Sequence, residues 1–527
     1  MPNNYNLARA LYRHHRERPA AIAVVCKGVT LSYGELAERA SRLACSLTQG
    51  TDWRRQDGLP PRVGILASRG IDACVALLGA CWAGATYIPI GLKQPEDRIL
   101  TLLAQCRLSA LITDDEGVKL LSKRVLDAYP LPVIHAGQNR AGFSTRTGHL
   151  INLAALPPVL PEEPAFMSAS DTAYIIFTSG TTGIPKGVMI SAGAARHYIA
   201  SIVEYLGLRA SDRALETCEL SFDFSVHNMF STWQAGAALH ILPATTVMNA
   251  VKFARNSSVT IWNSVPSLAG MLRQLKALAP DSLATLRVTV FGGEQLPAST
   301  VAAWRLAAPN SEIFNLYGPT EATVFCLAQQ IGTPVLLSPG RDVVAIGTPL
   351  PGSQAGVIAE NGQFVADGTP GELVIGGVQL ADGYLGATEL TAARFPMLGG
   401  KRWYRTGDLA LRDGAGTFHC LGRIDNQVKV LGYRVELEEI DAHLRVVSGA
   451  DVVGSIAWPM VDGMARGIVC FVGASTIDVE RVMNALKERV PPYMIPNQLI
   501  ALEKIPLNSS GKVDRRALRQ LLETEPS

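Results

Sequence analysis

Phe177-Thr178-Ser179-Gly180-Thr181-Thr182-Gly183-Ile184-Pro185-Lys186-Gly187 is the stretch on which the reading of this chain turns. It follows an apolar run, Ala173 to Phe177, that reads as a short buried strand. Glycines let a backbone turn tightly and bring its N–H groups close to an anion. Hydroxyl groups donate hydrogen bonds, and the lysine adds a compact positive charge. A strand feeding such a loop is suited to gripping phosphates. It is not a Walker loop, because the second glycine required after Gly180 would fall at Pro185. The plain alternative is a Gly/Ser/Thr surface turn, so the surrounding chain has to decide.

At 527 residues the chain exceeds what one compact core holds, and at least two domains are expected. Apolar residues make up 48% and the formal net charge is +2, which excludes a dominant polyanion-binding surface. The nine cysteines are scattered without a C-x-x-C pair, favouring reduced thiols in a cytoplasmic protein over a disulfide framework or zinc site. The N-terminus lacks a basic-then-apolar leader pattern. The uncharged run Ala73 to Ile90 has the length of a membrane span, but Gly79, Gly84 and Pro89 interrupt it. A buried helix running into a buried strand fits it better.

Along the chain, strand and helix alternate, which predicts α/β layers around largely parallel sheets. Leu7 to Leu47 reads as helix, strand (Ala21 to Val25) and second helix, with Ser32 and Glu35 forming a capping box. Arg62 to Leu66, Leu108 to Thr113 and Leu131 to His135 read as strands, and Ala194 to Leu206 as a helix. Segments around Asp223, Ser264, Gly292 and Tyr317 place polar groups at strand ends, where open α/β sheets bind ligands. From about Val343 short strands and Gly/Asp turns suggest a smaller β-rich subdomain. Past Asp425 a βα pattern resumes, enough for a separate small domain.

The loop, Tyr317-Gly318-Pro319-Thr320-Glu321, Tyr404-Arg405-Thr406-Gly407-Asp408-Leu409, Gly422-Arg423-Ile424-Asp425-Asn426-Gln427-Val428-Lys429 and Asn508-Ser509-Ser510-Gly511-Lys512-Val513-Asp514-Arg515 together resemble the core motifs of adenylate-forming enzymes, in the family's order. Within that superfamily the chain resembles a free-standing amino-acid adenylation domain of the nonribosomal peptide synthetase type, close to D-alanine–carrier protein ligase. The resemblance implies a large N-terminal domain, residues 1–424, of layered α/β subdomains plus a small β-barrel-like subdomain. A small mobile α+β C-terminal domain, residues 425–527, would follow.

It also implies ATP and Mg²⁺ as cofactors and a two-step reaction. A carboxylate attacks the α-phosphate of ATP, and a phosphopantetheine thiol then captures the acyl adenylate. Thr178, Ser179, Gly180, Thr181, Thr182, Gly183 and Lys186 would hold the phosphates. Glu321 would help place Mg²⁺, a hard cation that prefers carboxylate oxygen. Tyr317, with Gly318 and Thr320 in the same motif, would lie against the adenine and Asn315 would hydrogen-bond it. Asp408 would accept from the ribose hydroxyls, and Arg423 would sit near ribose and phosphate. Lys512 would bridge substrate carboxylate and α-phosphate. Asp425 would act as the hinge, and Gly432 would leave room for the pantetheine arm.

By the same resemblance Asp223 would pair with the substrate ammonium; the alternative is a cap on the helix that follows. Phe224, His227, Ser264, Val290, Gly292, Leu316, Val324 and Phe325 would line the side-chain pocket. Their bulk implies a small amino acid, with His227 and Ser264 able to bond a hydroxyl, or His227 merely packing. Departures from the pattern are Gly91-Leu92-Lys93-Gln94-Pro95, Leu431 and Ser509-Ser510. No carrier motif follows Lys512, so the carrier protein is expected to act in trans, without nucleic acid or membrane. Rival readings are an acyl-CoA synthetase, an amide-forming ligase and a catalytically silent amino-acid-binding paralogue.

Overall fold

The computed structural model describes residues 3–50, 53, 55, 58–137, 150–180, 184–430, 432–461, 464–508 and 513–524. Thr181, Thr182, Gly183, Leu431, Ser509, Ser510 and Lys512 lie outside them. The chain divides into two compact units. One comprises Met1–Leu92, Leu103–Ile176 and Gly187–Gly422; the other comprises Lys93–Leu102, Phe177–Lys186 and Arg423–Ser527.

Two large sheets carry the first unit. A nine-stranded sheet has a parallel centre running Glu312–Tyr317, Val288–Gly292, Ile261–Ser264, Arg213–Glu216, Ala238–Ile241 and Ile22–Cys26. An eight-stranded sheet runs Thr172–Thr178, Thr86–Pro89, Arg62–Leu66, Ala110–Thr113, Val133–His135 and Leu150–Asn152 in parallel, with Lys186–Ser191 and Gly383–Tyr384 beyond Thr172–Thr178. The predicted strands at Ala173, Arg62, Leu108 and Leu131 all lie here. Parallel strands covered on both faces bury continuous apolar runs, and Ala110–Thr113 and Thr86–Pro89 are buried at every position.

Ala73 to Ile90 is the expected buried helix and strand, Ile71–Trp82 and Thr86–Pro89. That helix packs so tightly that a Cβ on Gly79 would meet Leu43 Cδ2 at 2.0 Å. No helix among the described residues is long and apolar enough to cross a membrane. The capping box is present: Ser32 N donates to Glu35 Oε2 at 2.7 Å, and Glu35 N to Ser32 Oγ at 3.2 Å.

A strand at Val29–Ser32 went unpredicted. It pairs antiparallel with Ile22–Cys26 through a two-residue turn in which Lys27 and Gly28 both have positive φ, 49° and 80°. Such turns are usually announced by Asn-Gly or Asp-Gly, and a lysine in the left-handed region carries no such signal. The predicted β-rich region is a five-stranded antiparallel sheet around Ser353–Ile358, Gly371–Gly377 and Lys401–Arg412.

The second unit has a four-stranded and a three-stranded sheet with helices Leu437–Ser448, Val479–Lys487 and Arg515–Thr524. Ile440, Leu444, Val453, Cys470, Val482 and Leu486 form its own core. An apolar core of this kind is what lets a segment fold as a unit.

Candidate active site

The end of one parallel strand meets the antiparallel sheet where residues expected to hold the nucleotide come together. Tyr317 closes its strand, and its hydroxyl donates to Asp408 Oδ2. Burial first, and the Asp408 charge second, push the Tyr317 phenol well above its ordinary value, so it remains a donor. Asp408 is set by the chain around it: its N–H donates to Thr406 Oγ1 at 3.0 Å, and the Thr406 hydroxyl donates to Leu373 O at 2.7 Å. Asn315 is 3% exposed, and its amide nitrogen donates to Ala345 O at 2.9 Å. That bond uses one of its two N–H donors and orients the side chain expected to meet the adenine.

Glu321 is fully buried, and its Oε1 accepts from the Tyr384 hydroxyl at 2.8 Å. A carboxylate oriented by a tyrosine suits a hard cation. The described residues contain no cluster of three or more His, Cys, Asp or Glu side chains able to hold a metal ion. Tyr384 had no sequence signal; only the pairing of Gly383–Tyr384 with Val188 and Met189 brings it here.

After Gly318 the chain folds back so closely that a Cβ there would meet Val324 O at 2.3 Å. The return is made through Thr323 and Val324 at φ 57° and 68°. β-branched residues in the left-handed region are strained, and such strain gathers at functional sites. Gln379 holds the turn: its Nε2 donates to Phe325 O at 2.9 Å, and its carbonyl accepts from the Thr323 hydroxyl. This places Val324 and Phe325, two of the expected pocket residues.

The other pocket residues assemble around the helix Phe224–Ala235 and three neighbouring strands. Gly292 pairs with Leu316, and Asn263 with Val290. Phe224, His227, Leu316, Val324, Phe325, Val290 and Ser264 are all buried. The rings of Phe224, His227 and Phe325 pack edge to face with centroids 5.0–5.6 Å apart. A Cβ on Gly292 would meet the Phe325 ring at 2.5 Å. The three rings and Gly292 thus interlock in one buried cluster.

Asp223 precedes that helix yet makes no side-chain cap hydrogen bond. Its charge bears on Tyr87, Tyr174 and Tyr198, whose hydroxyls burial already drives far above their ordinary value. The Tyr87 and Tyr174 hydroxyls are buried without hydrogen-bond partners. Tyr198 OH lies 2.6 Å from His227 Nδ1, and burial pushes the imidazole down to about 3, so it is neutral at ordinary pH. The Ser264 hydroxyl is taken by the fold: it accepts from Trp262 Nε1 at 2.8 Å and donates to Val265 O at 3.2 Å. The expected hydroxyl-binding pair thus has its serine engaged elsewhere.

In the second unit the phosphate loop is held by carboxylates. Gly180 N donates to Glu439 Oε2 at 3.1 Å, and Arg98 pairs with Glu439 Oε1 at 2.5 Å. Lys186 Nζ lies 3.4 Å from Glu436 Oε1, while Ser179 Oγ donates to Arg434 O at 2.9 Å. Glycine is required at 180, since a Cβ would meet Ile184 O at 2.0 Å. The Thr178 hydroxyl is buried without a hydrogen-bond partner. These are donors of the kind that bind phosphate oxygens, and a carboxylate and a phosphate cannot occupy the same donor together. Arg423 grips Asp425 through two bonds of 2.8 and 2.6 Å. Gly432 has φ 87°.

Next to the pocket helix, Glu216 is fully buried at the end of its strand. Its Oε1 accepts from Cys218 N at 2.5 Å and Asn228 Nδ2 at 2.9 Å. Its Oε2 and Asn228 Oδ1 are both buried acceptors without partners. Burial raises the carboxyl from 4.5 to about 7, so the folded state holds a proton that the unfolded state releases between those values. Stability from this group is present below about pH 4.5 and falls as pH rises through about 7. A glutamine at this position would keep the accepting oxygen and add a donor facing Asn228. Glu216→Gln is therefore expected to be more stable than the parent at pH 8 by roughly 3 kcal/mol, with the gap closing near pH 4.5. Urea unfolding at both pH values checks this; a pH-independent difference counts against a protonated Glu216.

Comparison with known proteins agrees with this geometry. Residues 11–385 match the family model described as AMP-binding enzyme. The chain is 33% identical over 517 residues to the Delta-poly-L-ornithine synthetase of Acinetobacter baumannii, covering 95% of this chain and 35% of that protein. It is 32% identical over 540 residues to Tyrocidine synthase 3 of Brevibacillus parabrevis, covering 98% of this chain and 8% of that protein. The chain thus spans about a third or less of the length of these two relatives. Among solved structures, the Vibrio cholerae adenylation domain AlmE, in complex with glycyl-adenosine-5′-phosphate, superposes with a TM-score of 0.86 at 27% identity. That match covers 100% of this chain and 99% of AlmE. The chain belongs to the AMP-binding enzyme family, as an adenylate-forming ligase.

Proposed function

We propose that this enzyme activates a small amino acid with ATP and passes it to the phosphopantetheine thiol of a separate carrier protein, in nonribosomal peptide or related biosynthesis. In the first half-reaction a substrate carboxylate oxygen bonds to the α-phosphorus while the bond to the bridging oxygen breaks, releasing pyrophosphate. In the second the thiol sulfur bonds to the acyl carbon, AMP departs with the bonding electrons, and the thiol proton is lost to solvent. The observation that carries this reading is Asp223: a carboxylate at a helix entrance that does not cap it, beside a pocket closed by three aromatic rings. An ammonium group is its natural counter-ion, and the rings leave room only for a small side chain.

Tyr317 and Asp408 would seat adenosine, Thr178, Ser179, Gly180 and Lys186 the phosphates, and Glu321 the Mg²⁺. When bound, that ion would lower the repulsion between the phosphates and the incoming carboxylate. Glu436 and Glu439 would take over the loop donors once pyrophosphate has left. Rotation about Asp425 would exchange Lys512 for the segment bearing Gly432, with the functional boundary at residues 424 and 425. Free thiols at all nine cysteines suit a reducing cytoplasm.

ATP–pyrophosphate exchange across L- and D-amino acids and simple carboxylic acids tests the reading. Glycine, alanine, serine, 2-aminobutyrate, threonine and proline should give the largest kcat/KM. Exchange confined to acids lacking an amine would refute the role of Asp223. Faster acyl transfer to coenzyme A or to an amine than to a carrier protein would refute the proposed acceptor.

A further inference from the structure

A cavity of about 450 Å³ opens on the first unit, lined by Asn3, Asn4, Tyr5, Arg9, Gly193, Arg196 and His197. None of these residues belongs to the nucleotide or amino-acid site. Arg196 stands on the helix Ala192–Tyr205, near its N-terminal end, and Arg9 begins the helix Arg9–Glu17. The Arg196 guanidinium is half-buried, and its side-chain partner is a neutral one, Gln234 Oε1 at 3.4 Å. The charges that oppose it are two further arginines, Arg9 and Arg13, while Tyr5 acts weakly the other way. Burial first, and that repulsion second, lower its proton affinity. Arg9 has one carboxylate, Glu163 at 3.3 Å, with both side chains largely exposed. A surface pair of that kind holds weakly and is readily displaced. Gathering like charges around a cavity is unfavourable unless something negative enters it.

We propose that this cavity is a binding site for a small, multiply charged oxyanion, held between Arg9 and Arg196. The two guanidinium forks are the donors the cavity offers, without any reacting group; the first-turn N–H groups of the neighbouring helix are committed to Asp171 O, Ala169 O and Ser191 Oγ, and the Asn4 amide to Pro164 O. The chemistry fits a phosphoryl or a polycarboxylate ligand. The cavity volume admits a molecule of pyrophosphate or citrate size.

Isothermal titration of the full chain with inorganic phosphate, pyrophosphate and citrate at low ionic strength tests it. The parent should bind one of these saturably, and the Arg9→Gln/Arg196→Gln double variant about tenfold or more weakly, since each arginine supplies a charge-assisted bond. The double variant leaves the nucleotide site intact, so the difference between the two proteins isolates the cavity. Loss confined to phosphate and pyrophosphate identifies a phosphoryl ligand, and loss confined to citrate a carboxylate one. If the double variant melts early, Arg9→Gln and Arg196→Lys take its place, and each should weaken binding several-fold. Equal affinity in parent and folded variants, or no saturable binding of any of the three anions, overturns the proposal.

Discussion

Asp223→Asn is expected to lower kcat/KM for amino-acid-dependent pyrophosphate exchange by about 10²–10³, while leaving the affinity for ATP within about twofold. Removing one partner of a desolvated ion pair costs about 3–5 kcal/mol, because the other charge is left without compensation. Asp223 is not a cap, so the helix it precedes loses no hydrogen bond when the charge is removed. The side chain is isosteric and the three tyrosines that face it stay protonated in either case. The loss should therefore appear in amino-acid KM and kcat, with the melting temperature close to that of the parent. Initial-rate exchange at varied amino acid and fixed saturating ATP checks this. An unchanged amino-acid KM and kcat would show that the ammonium is bound elsewhere.

The second large effect separates the two half-reactions. Lys512→Ala is expected to slow adenylate formation by about 10²–10³, the cost of deleting one preplaced cation or donor at a site where charge develops. Transfer from a supplied aminoacyl adenylate should survive. Gly432 calls for the opposite change. At φ 87° most side chains are strained, so leucine there would test folding and function together. Asparagine tolerates that backbone and still adds a side chain where the pantetheine arm would pass. Gly432→Asn should keep pyrophosphate exchange within about threefold and reduce loading of the carrier thiol by at least tenfold. Single-turnover measurements of each half-reaction decide it, and equal loss of both in both variants would refute alternation.

The contacts of the loop sharpen this second expectation. Lys186 faces Glu436, and Gly180 N–H faces Glu439. If Gly180 and Lys186 hold phosphate as proposed, these carboxylates would compete with phosphate oxygens for the same donors. A protein that alternates needs such stand-ins, since the loop donors would otherwise be left unpaired once pyrophosphate has gone.

Much of this was readable from the linear chain. The strand before the loop, the buried helix at Ile71–Trp82 and the capping box at Ser32 follow from local chemistry, namely apolar runs, glycine and proline breaks, and an S-x-x-E spacing. The five motifs carried the family because each is a contiguous string. Contiguity is also the limit. The hairpin strand Val29–Ser32 was invisible because its turn uses a lysine at positive φ. Tyr384 was invisible as the holder of Glu321, because 63 residues and a strand pairing separate them.

Side-chain commitments were equally hidden. Ser264 and Asn315 are legible as residues at strand ends, but only packing showed Trp262 and Val265 taking the serine and Ala345 accepting one bond from the amide. The sequence by itself determined the alternation of elements, the loop that can grip phosphate and the residue types at each strand end, since these depend on neighbours along the chain. Tertiary structure alone decided that Phe224, His227 and Phe325 interlock and that Asp223 does not cap. It alone placed Glu439 on Gly180 and buried Glu216 against Asn228. Those outcomes depend on which distant atoms share a dry volume, and no local spacing encodes that.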